Sequence, residues 1–599
     1  MKPRERSEVP AEDRWDLSDL YASQEDWERD LARLKEFPDR IVRWKGRLDE
    51  SPETLGSAIR ELLDQLRLAD KVRTYASLRS DQDLSDPMAS DMVARQAASA
   101  AKLASARSFF LPEVMALPDE VMRSWMDSDA LKPYRTWLEE QLRFKAHILS
   151  ADEEKLLAMS REATRGFHNS FGKLSNVDMS QRLPEIELED GRAKLTNANL
   201  VSLLESESRQ QRERVFRGYY GELSGNLNTM ASLLDGHVRS AVFYARARGF
   251  DSALHASLFG DRVPVELLDT LIETTTEHLP VLHRYYGLRR RIMGLKRLAM
   301  YDLYVPLVRP PKNSYSFEEA LELVLEALAP LGEEYVELAG EGLRGGWIDK
   351  YENRGKRSGA YSDGCYDSPP YILHNFTGTL RSVFTLAHEL GHSMHTLLSN
   401  RAQPYHTSDY RILVAEVAST TNEMLLLDHL LKSSPEQTKA YLLDHLVGDF
   451  RGTVFRQVMF TELERMLYER VESGAGLTSN YVGDIYMKLI EKYRGDTFAY
   501  DETDRMISTE WGRIPHLYYN FYTYKYATGM ASAVHMSQMI LSGGSETPES
   551  YLELLSSGCS KPPLELLGQA GVELTRPDTV RAAMGKMDEV VSELEDLLT

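Results

Sequence analysis

The pattern of apolar and polar positions predicts helices over most of this chain. Apolar residues recur at three- and four-residue spacing among charged residues from residue 15 to about 180, and again from about 199 to 294. A similar helical pattern follows residue 404 and continues to Thr599. We therefore expect a mainly α fold in which helices pack on one another.

Two short segments interrupt the helical period with β character. In residues 183–195 apolar residues alternate with glutamates, and Asp190 with Gly191 supplies a turn pair, which predicts a hairpin. Residues 371–376 form a second β-like run after a glycine-rich stretch at 340–364. This second run predicts a small sheet just before the segment with the strongest chemical signal.

Local signals also mark one helix start and the expected division of the chain. Ser316 and Glu319 form a capping box ahead of an apolar run, after several prolines that interrupt the helical pattern. A chain of 599 residues exceeds the usual size of one compact core. We expect an N-terminal helical region over 1–115, a second helical segment ending in the hairpin over 116–198, and a long domain over 199–599 that holds the candidate chemistry.

Composition and charge narrow the class of protein. Hydrophobic residues make up 42% of the chain and charged residues 27%, as in ordinary folded proteins. The formal charge of -21 repels phosphate backbones and anionic lipid, so we expect neither nucleic acid nor membrane as a partner. We interpret the charge mainly as a solubility feature; the alternative is a preference for neutral or cationic ligands.

The start of the chain and its cysteines bear on location. The first residues lack the apolar core of a signal peptide, and the sequence has no apolar run long enough to span a bilayer. Only two cysteines are present, Cys365 and Cys559, which is too few for a disulfide framework and suits a reducing compartment. We expect a cytoplasmic protein, and the sequence leaves the oligomeric state open.

The segment His388-Glu389-Leu390-Gly391-His392 is the strongest chemical signal. Two histidines one helical turn apart point from one face at a single metal, and the glutamate between them falls where it can take a proton from water. Zinc is the expected ion, one per chain, because nitrogen and oxygen donors in a tetrahedral set suit it; cobalt or manganese could replace it. Gly391 within such a helix indicates close approach of another element.

A third protein ligand has to come from outside this pentapeptide. His395 lies seven residues from His388, about 10 Å along a helix axis, so both cannot bind one ion, and we expect His395 to pack nearby or support a ligand. A pattern with a histidine six residues after the motif is excluded, because that position is Leu398. Glu416, on the next predicted helix, is the candidate ligand. Glu423, two turns later on the same face, either orients a histidine or is an ordinary solvated side chain.

These residues and several other blocks resemble the oligoendopeptidase F branch of the thimet-type oligopeptidases. The blocks are Gly359-Ala360-Tyr361-Ser362, Pro370-Tyr371-Ile372-Leu373, Gly378-Thr379-Leu380, Phe384-Thr385-Leu386-Ala387 ahead of the histidine motif, and Ala415-Glu416-Val417-Ala418-Ser419-Thr420. The opening Trp15-Asp16-Leu17-Ser18-Asp19-Leu20-Tyr21 is similar to that of the family as well. The resemblance therefore covers essentially the whole chain.

The resemblance implies a zinc-dependent endopeptidase that hydrolyses internal bonds of short, unstructured peptides. It implies a multi-lobed helical ellipsoid with a deep central channel, with zinc on the channel floor, and it is consistent with a small β-sheet near the metal helix. His388, His392 and Glu416 would be the zinc ligands, and Glu389 the general base. One departure is His374, at a place where the family's block usually carries Met, and we expect it to alter a subsite.

A tyrosine-rich segment begins at His516. Tetrahedral intermediates of peptide hydrolysis need donors besides a metal, and tyrosine hydroxyls or an imidazole N–H can supply them. Tyr519, Tyr522 and Tyr526 fall near one face if the segment is helical, and Tyr524 does not; the alternative is an aromatic helix packed in a core. The resemblance favours His516 with Tyr519, Tyr522 or Tyr524 as the groups that stabilise the intermediate, with the register left open, and we expect Tyr526 to contact substrate.

The predicted strand at 371–376 is the other substrate candidate. An extended peptide can pair with an exposed strand edge and so be held by backbone hydrogen bonds. Tyr371, Leu373 and His374 would then contact the substrate. The alternative is a strand with a purely structural role.

Other classes of function remain in competition with the enzyme. A peptide-binding or chaperone-like protein with a structural zinc is disfavoured, because structural zinc sites usually have four protein ligands and are rich in cysteine. A helical interaction scaffold without metal would contain no zinc after purification without chelator. Within the enzyme class, the alternative is a metallocarboxypeptidase or dipeptidase on a related helical fold.

Overall fold

The structure of this protein, a computed structural model, describes residues 4–189, 191–311, 314–544 and 546–599. These residues form two compact units, each assembled from three separate stretches of chain. Unit 1 comprises Met1–Ala146, Lys312–Lys432 and Met536–Gly571, and unit 2 comprises His147–Pro311, Ser433–His535 and Val572–Thr599. Helices dominate both units, which confirms the mainly α fold. The division of the chain at residues 115 and 198 stays a prediction.

The first stretches of the two units follow one another along the chain. Unit 1 begins with α1 (Gln24–Leu34), α2 (Phe37–Val42), α3 (Pro52–Gln82), α4 (Pro87–Ala106), α5 (Phe110–Ala116), α6 (Asp119–Met126) and α7 (Arg135–Leu142). Unit 2 begins with α8 (Ala151–Lys173), α9 (Met179–Arg182), β1 (Glu185–Leu188), β2 (Gly191–Lys194), α10 (Leu200–Leu204), α11 (Arg209–Ser224), α12 (Leu227–Ala247), α13 (Ala253–Phe259), α14 (Val265–Glu277) and α15 (Leu279–Ile292).

The later stretches contain the sheet and the helices of the candidate site. They are α16 (Phe317–Ala327), α17 (Glu333–Arg344), β3 (Ile348–Asp349), β4 (Tyr361–Asp363), β5 (Tyr371–Leu373), α18 (Leu380–Ala402), α19 (Tyr405–Ser408), α20 (Ile412–Ser433), α21 (Glu436–Asp449), α22 (Arg456–Glu472), α23 (Ser479–Arg494), α24 (Glu502–Arg505), α25 (Tyr524–Leu541), α26 (Glu546–Ser556), α27 (Pro563–Gln569) and α28 (Asp578–Leu598). Short 3₁₀ and π turns join many of these elements. Within the described ranges, no helix has both the length and the apolar character that crossing a bilayer requires.

Two local predictions are confirmed. β1 and β2 pair antiparallel, with Leu188 opposite Gly191, as expected for the hairpin; Asp190 of the predicted turn pair lies outside the described residues. At the start of α16, the backbone N–H of Ser316 donates to the Glu319 carboxylate at 2.8 Å. The Ser316 hydroxyl in turn accepts from the Glu319 N–H, so the capping box is complete.

The N-terminal helices of unit 1 enclose a core that also holds the strand next to the site. Trp27 of α1 and Val72 of α3 are fully buried, and the indole N–H of Trp27 donates to the carbonyl oxygen of Val72 at 3.0 Å. Tyr371 and Leu373 of β5 belong to the same cluster of buried side chains. Burial of a large apolar side chain stabilises the fold by roughly 1.5–3 kcal/mol relative to exposure, so the core anchors β5.

The small sheet ahead of α18 has the strand order β3-β5-β4. β5 pairs in parallel with β3 and antiparallel with β4, which makes it the middle strand. The prediction that residues 371–376 present an exposed edge is therefore wrong, because both edges of β5 are already paired and the strand ends at Leu373. The half-buried strand β4 lies on the outside instead.

A buried ion pair fixes the chain where the sheet leads toward α18. The Lys356 ammonium lies 2.7 Å from the Asp349 carboxylate, and neither side chain is exposed. Lys356 also donates to the carbonyl oxygen of His374 at 2.6 Å, and Arg6 donates to Asp349 at 2.8 Å. Removing one partner of such a pair costs about 3–5 kcal/mol, because the other charge stays buried and uncompensated. The network thus holds the end of β5 beside the start of α18.

Candidate metal centre

Helix α18 presents the two histidines of the motif on one face. Thr379 caps the helix by accepting a hydrogen bond from the backbone N–H of Ser382. His388 and His392 lie one turn apart, with their ring centroids 4.9 Å from each other. Most other residues of α18 around the motif are buried, which fixes the direction in which the two imidazoles point.

The second helix of the site, α20, crosses α18 at Gly391. A Cβ atom on Gly391 would lie 2.6 Å from the Cα atom of Ser419 and 2.7 Å from the carbonyl oxygen of Ala418. Only glycine permits this approach of two backbones, as the glycine within the motif indicated. The crossing brings Glu416, which precedes Ser419 by about one turn, beside the histidines.

Three side chains from these two helices converge on one point. The ligand atoms of His388, His392 and Glu416 all lie within 4.8 Å of one another. Glu416 Oε2 is 3.8 Å from His388 Nε2 and 3.9 Å from His392 Nε2. Two nitrogens and one oxygen at these separations fit the donor set of catalytic zinc sites, which use three protein ligands.

Glu423 orients one of the candidate ligands. Its Oε1 atom lies 3.1 Å from His388 Nδ1, whereas Nε2 of the same ring faces Glu416. A proton on Nδ1 that is donated to Glu423 leaves the lone pair of Nε2 directed at the cluster. Burial lowers the pKa of His388, but the hydrogen bond and charge of Glu423, with the charges of Glu389 and Glu416, outweigh it and raise that pKa to about 9. The surrounding carboxylates therefore favour a cation at this place.

Glu389 lies beside the cluster and is nearly buried, with 7% of its surface exposed. Burial raises the pKa of Glu389 to about 7, and the charges of Glu416 and Glu423 act in the same direction. The charge of His388 and the backbone N–H of Ser362 oppose this rise. A carboxyl group that titrates near neutral pH can both accept a proton and return it.

A cleft of about 540 Å³ in unit 1 opens onto Glu389. Its walls come from the segment before β4, the segment after β5, and the helices α18 and α20. Lining residues include Gly359, Ala360, His374, Arg381, Glu389 and Glu423. The cleft is therefore continuous with the candidate metal ligands, because His388 also lines it.

The outer strand β4 turns the backbone hydrogen-bonding groups of Ser362 away from the sheet, next to the candidate base. Ile372 of β5 donates its N–H to Trp347 on the β3 side at 2.8 Å. Ser362 pairs with Ile372, so it occupies a non-hydrogen-bonded position and its N–H and C=O point away from β5. Its N–H acts on the Glu389 carboxylate, and its hydroxyl lies 2.8 Å from that of Ser393 on α18.

Two further residues shape the site although no sequence signal marks them. Asn422 is fully buried and donates to the carbonyl oxygen of Ala387 at 3.2 Å, which ties α20 to the peptide just before His388. Tyr410 stacks on His395 with ring centroids 3.6 Å apart. His395 is fully buried, and neither ring nitrogen has a hydrogen-bond partner among the described residues. Of the two roles expected for His395, the structure favours packing.

Three side chains that we expected to contact substrate are buried. Tyr371 and Leu373 have no exposed surface, and only 2% of His374 is exposed. The expectation for Tyr371 and Leu373 is corrected, because side chains of this central strand point into packed faces of the sheet. His374 borders the cleft and lies with Nε2 3.2 Å from the carbonyl oxygen of Ser382. Its effect on a subsite stays a prediction.

The tyrosine-rich segment belongs to unit 2 and is only partly helical. A 3₁₀ turn at Pro515–Tyr518 leads through an irregular stretch into α25. Several rings of the segment nevertheless form a chain of edge-to-face contacts, with centroid distances from 5.2 to 6.3 Å. We call this group the aromatic cluster: His516, Tyr519, Tyr522 and Tyr526. The helix-face argument for the three tyrosines is wrong, because two of them precede α25, yet their rings do come together.

The candidate residues of this segment differ in how far their side chains are exposed to solvent. Tyr519 is 44% exposed, and His516, Tyr522 and Tyr526 are half-buried. Burial lowers the pKa of His516, and the positive charge of Arg456 lowers it further, so the imidazole is neutral at neutral pH. Tyr524 has no exposed surface, and its hydroxyl has no hydrogen-bond partner among the described residues. The expectation that Tyr524 is a catalytic group is corrected, because a peptide cannot reach its hydroxyl in this conformation.

Two family profiles match separate stretches of this chain, and known proteins match nearly its full length. The profile described as Peptidase family M3 matches residues 202–586, and the one described as Oligopeptidase F matches residues 113–180. Oligopeptidase PepF of Bacillus subtilis is 39% identical over 597 residues, which covers 99% of this chain and 88% of that protein. Group B oligopeptidase PepB of Streptococcus agalactiae is 37% identical and covers 99% and 98% of the two chains.

Solved structures of related proteins have a similar fold. The crystal structure of oligoendopeptidase-F from Enterococcus faecium matches with a TM-score of 0.74 at 33% identity. The match covers 96% of this chain and 99% of that one. The described fold is therefore shared over nearly the full length of a mainly helical relative.

Proposed function

This chain belongs to peptidase family M3, in its oligoendopeptidase F branch, and on that premise we propose that it is a zinc-dependent endopeptidase acting on short oligopeptides. The observation that carries the proposal is the convergence of His388, His392 and Glu416 beside Glu389. Three ligands with an adjacent carboxyl group suit a catalytic zinc site, whereas structural sites usually have four protein ligands. The substrate class follows the names of the relatives, which are oligopeptidases.

Glu389 performs the proton transfers of the proposed reaction. Zinc held by the three ligands would supply Lewis acidity toward the scissile carbonyl group and toward water. Glu389 accepts a proton from the attacking water and then gives it to the nitrogen of the leaving amine. Burial raises the pKa of Glu389, which suits a carboxyl group that serves first as base and then as acid. Glu423 holds the His388 ring in the tautomer that a ligand needs.

The outer strand β4 provides a way to hold a peptide without selecting strongly among side chains. The outward-facing C=O of Ser362 can accept a hydrogen bond from an extended peptide that adds beside β4. The cleft beside this strand is lined by Ala360 and Glu389, so a peptide paired there would pass the general base. An extended backbone is required for this pairing, which favours short, unstructured peptides over folded proteins.

The aromatic cluster is proposed to contact substrate and to donate hydrogen bonds to the oxyanion. This role rests on the family resemblance and on the exposure of the rings. A neutral His516 can donate through one ring nitrogen, and Tyr522 and Tyr526 can donate through their hydroxyl groups.

The proposed function is tested with a mixed peptide library analysed by mass spectrometry. Native protein is incubated with zinc or with chelator, and the peptides carry either free or amidated C-termini. We expect internal cuts that need metal and are indifferent to C-terminal amidation. Cleavage that depends on a free C-terminus would instead indicate a carboxypeptidase, and cleavage unaffected by chelator would overturn the metal-dependent mechanism.

Substitution of Glu389 tests whether it is the general base of the proposed reaction. Glu389→Gln keeps the shape of the side chain but cannot accept the proton, so we expect kcat to fall by at least about 100-fold with zinc content unchanged. The matched control is Glu318→Gln on the exposed face of α16, which should retain native activity. Native turnover by Glu389→Gln would remove Glu389 from the mechanism.

A cytoplasmic location is proposed from the cysteine content. Cys365 is buried and Cys559 is half-buried, and both are free thiols in the structure. Cell fractionation with an antibody against the protein tests this, and recovery outside the cytoplasm would contradict it.

A further inference from the structure

The turn inside the tyrosine-rich segment has an unusual backbone. Asn520 has φ 50° and Phe521 has φ 58°, so two adjacent residues other than glycine adopt the left-handed conformation. Each such residue costs of order 1 kcal/mol or more, and the cost is sustained only where the surroundings hold the conformation. The turn lies between Tyr519 and Tyr522 of the aromatic cluster, so its conformation sets the directions of both rings.

One face of α22 holds this turn. The Glu464 carboxylate accepts the backbone N–H of Phe521 at 2.9 Å and the Thr523 hydroxyl at 3.3 Å. Tyr468, one turn further along α22, donates its hydroxyl to the side-chain oxygen of Asn520 at 2.7 Å. Two residues of α22 therefore bind the turn through three hydrogen bonds, and Glu464 accepts two of them.

A contribution to core stability does not explain why a glutamate occupies position 464. Its side chain has no exposed surface, and among the described residues no basic side chain forms a salt bridge with it. Burial of a carboxyl group without a cation is costly, and burial raises the pKa of Glu464 to about 8. An apolar residue of similar size would avoid that cost. What only a polar side chain can provide here is an acceptor for the Phe521 N–H and a hydrogen bond with the Thr523 hydroxyl.

We propose that Glu464 is a positioning residue, which holds the left-handed turn at Asn520 and Phe521 so that Tyr519 and Tyr522 keep the orientation in which they meet substrate. The inference rests on the proposed function, because the aromatic cluster is assigned to substrate there. Glu464 itself touches no substrate. It acts through the backbone of the turn, and Thr461 supports it by placing its hydroxyl 2.9 Å from that of Thr523.

The test compares two substitutions of Glu464 that differ only in hydrogen bonding. Glu464→Gln keeps an oxygen for the Phe521 N–H, and its amide can donate to the Thr523 hydroxyl, so it should preserve the turn. Glu464→Met has similar length but accepts neither bond. The matched control is Glu469→Met, which changes an exposed glutamate of the same helix that pairs with Arg465.

Two readouts are measured at a temperature well below unfolding, with zinc content equal in all samples. We expect kcat/KM for a short peptide to fall at least about tenfold in Glu464→Met and to stay within about threefold of native in Glu464→Gln. Hydrogen exchange in residues 519–523 should speed up about tenfold in Glu464→Met alone. A merely structural role would lower the unfolding temperature of Glu464→Met but leave kcat/KM per folded molecule unchanged.

Some results would overturn the proposal, and a second variant is available if Glu464→Met does not fold. Unchanged exchange and kcat/KM in Glu464→Met overturn the proposal. A Glu464→Gln variant as impaired as Glu464→Met also overturns it, because the amide keeps an acceptor for the Phe521 N–H and can donate to the Thr523 hydroxyl. If Glu464→Met does not fold, Thr523→Val is measured in its place, with the same expected direction. This substitution removes the hydroxyl that bonds with Glu464. If native protein with zinc cleaves no peptide, the proposed function fails, and the exchange experiment still tests the hold of Glu464 on the turn.

Discussion

Gly391 of α18 lies so close to Ser419 of α20 that a Cβ atom on the glycine would come within 2.6 Å of the serine Cα atom. Two helices can approach to this distance only where one lacks a side chain. The contact lies within one turn of His388, His392 and Glu416, so it sets the distance between the two histidines of α18 and Glu416 of α20. The glycine is therefore part of the candidate metal site although it offers no ligand atom.

Gly391→Ala is expected to destabilise the protein and weaken metal binding. The new methyl group would meet backbone atoms, which cannot rotate away, and overpacking of this kind costs about 1–3 kcal/mol. The intrinsic helix preference of alanine, about 1 kcal/mol, offsets this only in part. Zinc affinity and the urea denaturation midpoint are measured. Gly585→Ala on an exposed part of α28, where nothing lies within 4 Å of the added Cβ, should instead be neutral or stabilising.

Glu423→Ala is expected to lower zinc affinity about 10–100-fold without changing the fold. The loss follows because His388 Nδ1 would lose the carboxylate that orients the ring. Competition with a fluorescent chelator measures the affinity. Asp428→Ala, which removes a carboxylate that pairs with Lys432 further along α20, is the control. Equal zinc affinity in native protein and Glu423→Ala would contradict the orienting role.

Removal of single tyrosine hydroxyl groups is expected to lower kcat in the aromatic cluster but not at the buried Tyr524. Tyr522→Phe and Tyr526→Phe should lower kcat, by about tenfold or more for whichever hydroxyl donates to the oxyanion. Tyr524→Phe should leave kcat unchanged and raise the free energy of unfolding slightly, because a buried hydroxyl without a partner is costly. A large loss of kcat in Tyr524→Phe would show that the segment rearranges when substrate binds.

Glu464 should make the stability of unit 2 depend on pH. Its folded-state pKa is raised from the ordinary 4.5 to about 8, so the folded protein binds a proton that the unfolded chain has already lost. The contribution of this group to the free energy of unfolding is therefore complete below pH 4.5 and declines as pH rises through about 8. Urea denaturation of native protein and Glu464→Gln at pH 5 and pH 8.5 tests this. Glu464→Gln should gain stability relative to native protein at the higher pH, and a constant difference would contradict the shift.

Sequence patterns predicted the helical regions of the chain, because apolar residues on one face of a helix recur with a characteristic period. The capping box at Ser316 and the hairpin after residue 183 are local in the same sense. The spacing of His388 and His392 is also local, since one helical turn fixes it. Glu416 could be chosen as the third candidate ligand because it lies on the next predicted helix and in a family block.

Features that depend on partners distant in sequence were not predictable in this way. The run at 371–376 shows β character, but its central place in the sheet depends on β3 and β4, which carry no strong pattern of their own. The left-handed turn before Tyr524 depends on α22, more than fifty residues earlier. Asn422 looks like any polar helix residue until Ala387 is seen to face it.

The alternation of the two units along the chain has a consequence for how the protein is made. Six stretches alternate, so the chain passes from one unit to the other five times. On the ribosome, unit 1 lacks its final stretch until Gly571 has emerged. Unit 2 lacks its final stretch until Thr599 has emerged. Both cores therefore stay incomplete through most of translation, and a premature stop codon at any point before residue 571 releases a product in which neither core is closed.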